Sequence, residues 1–239
     1  MELILEGLVK AITLIFHVDA ELFGIILLSL KVSCFALLIA TLVGVPFGTA
    51  VALKRIPAKK LFISLMNTLM GLPSVVVGLF LYILLSRSGP LGFFNLLYSP
   101  GAMVIAQCIL AFPIVASLTC SAIVSIDPII RQTALTLGAS PFQVTHAVIM
   151  EARYGILTGI IAAFGRVIAE VGAIMIVGGN IAGLTRAITT AIMLETDKGD
   201  FALALALGII LLVLSLLVNV LLHLIQRKGT VDTEQWTWA

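Results

Sequence analysis

The chain has 239 residues, of which 61% are hydrophobic and 11% charged, with a formal net charge of +2 and a mean hydropathy of +1.21. Soluble globular domains carry about 25% charged residues, so this composition excludes a soluble globular protein and indicates a polytopic membrane protein. The small net charge does not indicate nucleic-acid binding. Because no polar block is long enough to fold separately, we predict one integral domain.

Residues 1–20 are predicted to form an amphipathic helix that lies in the membrane interface. Glu2, Glu6 and Lys10 recur at four-residue spacing among Leu, Ile, Val and Phe side chains. Such a stripe is typical of an interfacial helix. A true membrane span at this place is the alternative.

Five apolar segments follow that are long enough to cross a membrane, since about 20 apolar residues span its hydrocarbon core. They are approximately residues 22–53, 61–86, 101–124, 154–177 and 201–225. Pro46 is expected to bend the first segment near its C-terminal end. We therefore predict an all-α integral membrane fold with five transmembrane helices in residues 21–228, followed by a tail of residues 229–239.

Basic residues determine the predicted orientation, because Lys and Arg accumulate on the cytoplasmic side. The segment of residues 54–60 alone contains four positive charges. If this segment and the loop of residues 127–153 are inside, the outside carries only Lys10, Arg87, Arg186 and Lys198. We therefore predict a cell inner-membrane protein with its N-terminus outside and its C-terminus in the cytoplasm.

The long outer loop, residues 178–200, includes an apolar stretch at residues 187–194 that is expected to dip back into the protein. Irregular backbone at membrane depth is tolerated only where protein or a water-filled cavity satisfies it. This loop is therefore predicted to be a lid or gate. Its candidate residues are Gly178, Gly179, Asn180, Thr189 and Thr190.

The polar stretch of residues 127–153 is predicted to form two short helices joined at a corner. The first helix should cover residues 128–137 and end at Gly138, which permits the turn. Ser140 and Pro141 are typical of the N-cap and first residue of a second helix. A plain solvated loop between two spans is the alternative.

These residues resemble the membrane subunits of binding-protein-dependent ABC importers, whose cytoplasmic signature reads Glu-Ala-Ala, three residues, Gly, nine residues, Ile-x-Leu-Pro. Here Gln132-Thr133-Ala134 precedes Gly138 at that spacing, and residues 148–151 stand at the end. The third Ala, the Gly and the spacing match, whereas the Glu, the second Ala and the Pro do not. The resemblance implies a type I ABC importer permease fold whose coupling helix inserts into an ATPase subunit. The implied coupling residues are Gln132, Thr133, Ala134, Leu137, Gly138, Ala139, Ser140, Pro141 and Phe142.

Other segments narrow the resemblance to oxyanion importers. Residues 164–173 look like the FARxxxEFGA run of the molybdate and sulfate importers, whereas residues 175–196, 151–153 and 29–33 are most similar to the tungstate branch. The resemblance covers residues 20–226 and implies a tungstate permease, with molybdate or sulfate as the alternative substrates. It also implies a homodimer in membrane lipid that works with two ATPase subunits and an extracytoplasmic oxyanion-binding protein.

The sequence contains no GxxxxGK[ST] loop, so the chain cannot hold ATP phosphates by that route. ATP and Mg²⁺ are therefore expected in the partner ATPase, and no cofactor on this chain. The three cysteines and three histidines have no metal-ligand spacing. A membrane-embedded enzyme is the distant alternative. It would need a nucleophile–base pair or a metal cluster within the spans.

Lys31, Arg166 and Glu170 fall within the predicted spans, where a charge costs roughly 2.5–3.5 kcal/mol near a helix centre. Arg166 and Glu170 are four residues apart and can neutralise each other on one helix face. They are interpreted either as a structural ion pair or as part of an anion pathway. Lys31 has no acidic residue three or four positions away, so we expect it to face either a cavity or a carboxylate from another helix, with Glu170 as the candidate. A cation there would attract a doubly charged oxyanion.

Overall fold

The computed structural model describes residues 2–16, 20–54 and 59–228. Within these residues the chain forms ten α-helices and a short 3₁₀ turn, Gly92–Phe94, and no β-strand. The helices are α1 (Glu2–Phe16), α2 (Ala20–Leu53), α3 (Lys59–Met70), α4 (Ser74–Leu85), α5 (Pro100–Val124), α6 (Pro128–Thr136), α7 (Pro141–Ile168), α8 (Gly172–Gly178), α9 (Ile188–Lys198) and α10 (Phe201–Lys228). The predicted all-α fold is confirmed. Most of the basic segment 54–60 and the predicted tail 229–239 lie outside the described residues.

Four helices, α2, α5, α7 and α10, are long and apolar enough to cross a membrane. The second predicted span, residues 61–86, is instead the pair α3 and α4, which meet at an angle of 95°. Gly71 and Pro73 lie at the break, where proline removes a backbone donor and disfavours helical backbone in the preceding residue. The described chain therefore has four continuous apolar helices and one broken pair.

The predicted span of residues 154–177 is wrong at both ends. Helix α7 starts at Pro141 and stops at Ile168, and α8 is a separate helix from Gly172. The second helix of the polar stretch is therefore not short. From its N-cap, α7 continues into the apolar segment because no proline follows Pro141 within it. The glycines of α7 are tolerated within the helix.

Helices α2 and α5 run parallel and make the most extensive contact among the described helices. Small residues at four-residue spacing form the contacting face of α2, namely Ala36, Ala40, Gly44 and Gly48. A Cβ at Gly44 would lie 3.0 Å from a methyl group of Val115, and one at Gly48 only 2.4 Å from the carbonyl oxygen of Ala116. Such small-residue faces allow membrane helices to approach closely. Since α6 follows α5, the C-terminal ends of α2 and α5 lie at the α6 end of the bundle.

Replacing Gly48 by alanine should destabilise the protein, because the added Cβ would overlap a backbone oxygen that cannot rotate away. Overpacking of this kind costs about 1–3 kcal/mol. We expect a lower thermal unfolding midpoint for Gly48→Ala in detergent. The control is Gly24→Ala in the same helix, where a Cβ would meet no described atom within 4 Å. Equal midpoints for the two variants would contradict the close approach of α2 and α5.

Helix α7 runs antiparallel to α5, since Gly155 lies against Ala122 and Gly159 against Leu118. Helix α1 packs along the first turns of α10. Gly7 contacts Leu205, and Lys10 forms an ion pair with Asp200 at 3.2 Å. The apolar side of α1 is thus partly covered by protein, while its position relative to a membrane remains a prediction.

Candidate functional site

The corner between α6 and α7 is built from local capping interactions. Asp127 accepts a hydrogen bond from the Ile129 amide at 2.9 Å and so caps α6. Gly138 has a positive φ of 78°, and the following amide, that of Ala139, donates to the Ala134 carbonyl at 3.0 Å. This pattern ends a helix where glycine adopts the left-handed conformation.

The start of α7 is a capping box, as Ser140 and Pro141 predicted. The Ser140 amide donates to the Gln143 side-chain oxygen at 2.7 Å, and the Gln143 amide donates to the Ser140 hydroxyl at 3.4 Å. The reciprocal bonds satisfy two otherwise unpaired donors. All nine predicted coupling residues lie in this corner, from Gln132 in α6 to Phe142 in the first turn of α7.

The corner exposes large apolar side chains. Leu137 is 82% exposed and Phe142 is 81% exposed, and they flank the Gly138 turn. None of the nine residues of α6, all of them described, is buried. Exposed apolar patches usually mark an interaction surface. The arrangement suits docking of another protein against the corner.

Arg166 and Glu170 form the predicted ion pair at the break between α7 and α8. An Arg166 guanidinium nitrogen donates to one carboxylate oxygen of Glu170, and the other oxygen accepts from the Ala173 amide at 3.0 Å. Glu170 is 2% exposed, whereas the Arg166 side chain is 35% exposed. The Glu170 carboxylate therefore accepts hydrogen bonds both from the Arg166 guanidinium and from a backbone amide in the first turn of α8. Whether the pair also acts on a transported anion remains a prediction.

The expectation that Lys31 faces Glu170 is wrong, because the arginine one helical turn earlier occupies that carboxylate. Lys31 forms no ion pair with any described residue. It is exposed and lines a cavity of about 290 Å³ between α2 and the turn at Gly183. The alternative expectation, that Lys31 faces a cavity, is the one that agrees with the structure.

The five candidate gate residues lie close together in one hydrogen-bonded unit. Gly178 ends α8 and Gly179 has a φ of 71°. The Asn180 side-chain amide donates to the Thr190 carbonyl at 3.3 Å, and the Thr189 hydroxyl donates to the Glu170 carbonyl at 2.8 Å. The start of α9 is buried, as the apolar stretch of residues 187–194 predicted. The loop is thus attached directly to the α7–α8 break.

Residues 44–230 match the family described as the binding-protein-dependent transport system inner membrane component. The chain belongs to this family. The permease is 42% identical over 228 residues to the tungstate uptake system permease protein of Peptoclostridium acidaminophilum, covering 95% of this chain and 100% of that one. It is 44% identical over 205 residues to a probable anion ABC transporter permease protein of Haloferax volcanii, covering 84% and 88%.

A more distant relative is the molybdenum transport system permease protein of Escherichia coli, which is 31% identical over 215 residues and covers 85% of this chain and 94% of that one. The permease has the fold of an inward-facing MetNI methionine ABC transporter structure, with a TM-score of 0.69 and 16% identity over 84% of this chain and 92% of that chain. The predicted resemblance to ABC importer permeases, and the type I permease fold, are confirmed.

Sequence reasoning missed several polar residues that organise the permease around these sites. Gln107 is buried in α5, and its amide nitrogen donates to the Val167 carbonyl in the last turn of α7 at 3.1 Å. Thr185 closes the loop after α8, since its hydroxyl donates to the Gly178 carbonyl at 2.6 Å. Arg186 pairs with Glu21 at 3.1 Å. A single polar residue inside an apolar segment was the available signal for Gln107.

Proposed function

We propose that this permease is the membrane subunit of an ABC importer of tungstate, and that it forms the translocation pathway as a homodimer. The greater similarity to the tungstate permease than to the molybdenum permease, over nearly the whole chain, carries the proposal. ATP hydrolysis takes place in a separate ATPase subunit. An extracytoplasmic binding protein delivers the anion at the end of the bundle opposite the α6–α7 corner.

The exposed apolar corner supports the coupling role. Leu137 and Phe142 project from a turn that local hydrogen bonds hold in one conformation, which suits insertion into a cleft of the ATPase. In this proposal the corner faces the cytoplasm, in agreement with the basic residues at Lys54, Lys59 and Lys60 near the same end. The C-terminus of α10 is then also cytoplasmic, and the N-terminus is outside.

Helix α7 supplies a direct mechanical connection from the corner to the gate. It runs without interruption for 28 residues, or about 42 Å at 1.5 Å per residue. The break that follows it is bonded to the gate loop, because the Thr189 hydroxyl donates to the Glu170 carbonyl. Movement of the corner on ATPase closure would therefore move the Arg166–Glu170 pair and the loop together.

The substrate is tested by the preference of the partner binding protein and of the assembled transporter. We expect calorimetry to give tighter binding of tungstate than of molybdate or sulfate. In vesicles reconstituted with permease, ATPase and binding protein, ATP-dependent tungstate uptake should exceed uptake of the other two dianions. Tighter binding and faster uptake of molybdate or sulfate would instead assign the permease to one of the alternative substrates.

A further inference from the structure

We infer that the cavity between the first half of α2 and the turn at Gly183 is a binding subsite for the transported dianion, with Lys31 and Arg186 as its two cations. The inference rests on the proposed oxyanion transport. The cavity of about 290 Å³ is lined by both cations and by Glu21. It lies at the N-terminal end of α2, away from the α6–α7 corner, where a delivered anion would arrive.

Lys31 reaches the cavity from within the span. It lies 11 residues after the start of α2 at Ala20, or about 16 Å along the helix. Side chains of a helix lean towards its N-terminus, which for Lys31 is the direction of Glu21 and Arg186. Its other flank is a wholly apolar groove formed by Leu30, Cys34, Phe35 and Leu38. The described residues of this groove offer the ammonium group no counter-ion, whereas the cavity contains Glu21.

Arg186 is held in place while its partner is accessible. Its side chain is 20% exposed and that of Glu21 is 65% exposed, and the two are 3.1 Å apart. The Arg186 Nε is buried without a hydrogen-bond partner among the described residues. Guanidinium groups bind oxyanions through two parallel N–H bonds. Because Arg186 donates to Glu21 through Nη1, the same group can donate to an incoming oxyanion once Glu21 moves away.

The charges of the three side chains suit a dianion that binds and then leaves. Two cations match the two negative charges of tungstate, and in the unliganded cavity Glu21 neutralises one of them. We infer that the dianion displaces Glu21 from Arg186 on entry, and that Glu21 returns when the dianion moves on. Conduction requires binding that favours entry without preventing release. An internal carboxylate that competes for the arginine meets this requirement.

The test uses the complete transporter in vesicles, with saturating tungstate-loaded binding protein, and measures tungstate taken up per ATP hydrolysed. Lys31→Ala and Arg186→Gln should each lower this ratio about tenfold, whereas Lys31→Arg should keep most of it. Arg87→Gln is the matched control, because it removes one exposed positive charge from the same predicted side without lining the cavity. Unchanged ratios for both Lys31→Ala and Arg186→Gln would overturn the inference.

A second measurement isolates the role of Glu21. The permease–ATPase complex without binding protein is titrated with tungstate while its thermal unfolding midpoint is followed. Glu21→Gln should lower the half-maximal concentration several-fold, since the competing carboxylate is gone. A half-maximal tungstate concentration equal to or higher than that of the wild-type complex would overturn the inference that tungstate displaces Glu21 from Arg186.

Two further comparisons distinguish failure of the proposed subsite from failure of assembly and from failure of the proposed function. The double variant Glu21→Gln/Arg186→Gln removes both members of the Glu21–Arg186 ion pair, so it reports on anion handling even if Arg186→Gln alone fails to assemble. It should show the same low uptake per ATP as Lys31→Ala, and a wild-type ratio would count against the subsite. A wild-type transporter that takes up no oxyanion would refute the proposed function itself.

Discussion

Replacing Gly138 by glutamate should abolish the coupling of ATP hydrolysis to transport while leaving the membrane bundle folded. Gly138 has a φ of 78°, a conformation that costs other residues roughly 1–2 kcal/mol. A Cβ there would meet no described atom within 4 Å, so the defect is one of backbone strain and charge rather than of steric overlap. The new carboxylate would lie between Leu137 and Phe142, the apolar side chains proposed to enter the ATPase cleft.

The measurement is the stimulation of ATPase activity by loaded binding protein in reconstituted vesicles. Gly138→Glu should reduce it to the basal level, and Gly138→Asn, which tolerates left-handed backbone without adding charge, should retain most of it. Gly199→Glu is the matched control. That residue has a φ of 82° and equally open surroundings, and it lies at the end of α9, away from the corner. Stimulation of wild-type size in Gly138→Glu would refute the coupling role of the corner.

Replacing Glu170 by alanine should strongly destabilise the permease. The substitution removes the partner of Arg166 and the acceptor of the Ala173 amide at the start of α8. Breaking a buried ion pair costs about 3–5 kcal/mol. We expect the lower end of that range, because the Arg166 side chain keeps 35% of its surface exposed to solvent. Glu170→Gln keeps an acceptor for the Ala173 amide, so its stability should lie between that of Glu170→Ala and that of the wild-type permease.

Thermal unfolding in detergent measures this effect, with Glu151→Ala as the control for an exposed carboxylate on α7. An unchanged unfolding midpoint for Glu170→Ala would contradict the structural role of the pair. The double variant Arg166→Met/Glu170→Met then separates the two interpretations of the pair. Recovery of both stability and uptake would identify a structural pair, whereas recovery of stability alone would assign the charges to the anion pathway.

The features that sequence predicted well depend on neighbouring residues. The Gly138 corner and the Ser140 cap follow from backbone preferences and short-range hydrogen bonds, and the Arg166–Glu170 pair follows from helical spacing. The continuous apolar helices α2, α5 and α10 follow from the length of their apolar segments. In the first three cases the interacting groups are close in sequence, and in the last the apolar residues are consecutive, so all four features can be predicted from the order of residues along the chain.

The errors concern elements whose ends depend on the rest of the bundle. Apolar length alone did not separate α3 from α4 or α7 from α8, because both breaks lie within apolar sequence. At the second break the Glu170 carboxylate and the Thr189 hydroxyl satisfy groups that a continuous helix would have paired itself. The helix can therefore be interrupted here, because Glu170 of the ion pair and Thr189 of the distant gate loop supply the missing hydrogen bonds. Irregular backbone at membrane depth is tolerated where protein satisfies it in this way.

The sequence by itself determined the class of protein, the family resemblance and the α6–α7 corner, because composition, spacing and capping are local properties. Only the tertiary structure decided the environment of the charges. Lys31 lines a cavity rather than meeting Glu170, and Arg186 pairs with Glu21, which is 165 residues away. Contacts over such a separation depend on how helices pack, and packing in this permease follows from faces such as Gly44 and Gly48 that allow one backbone to approach another.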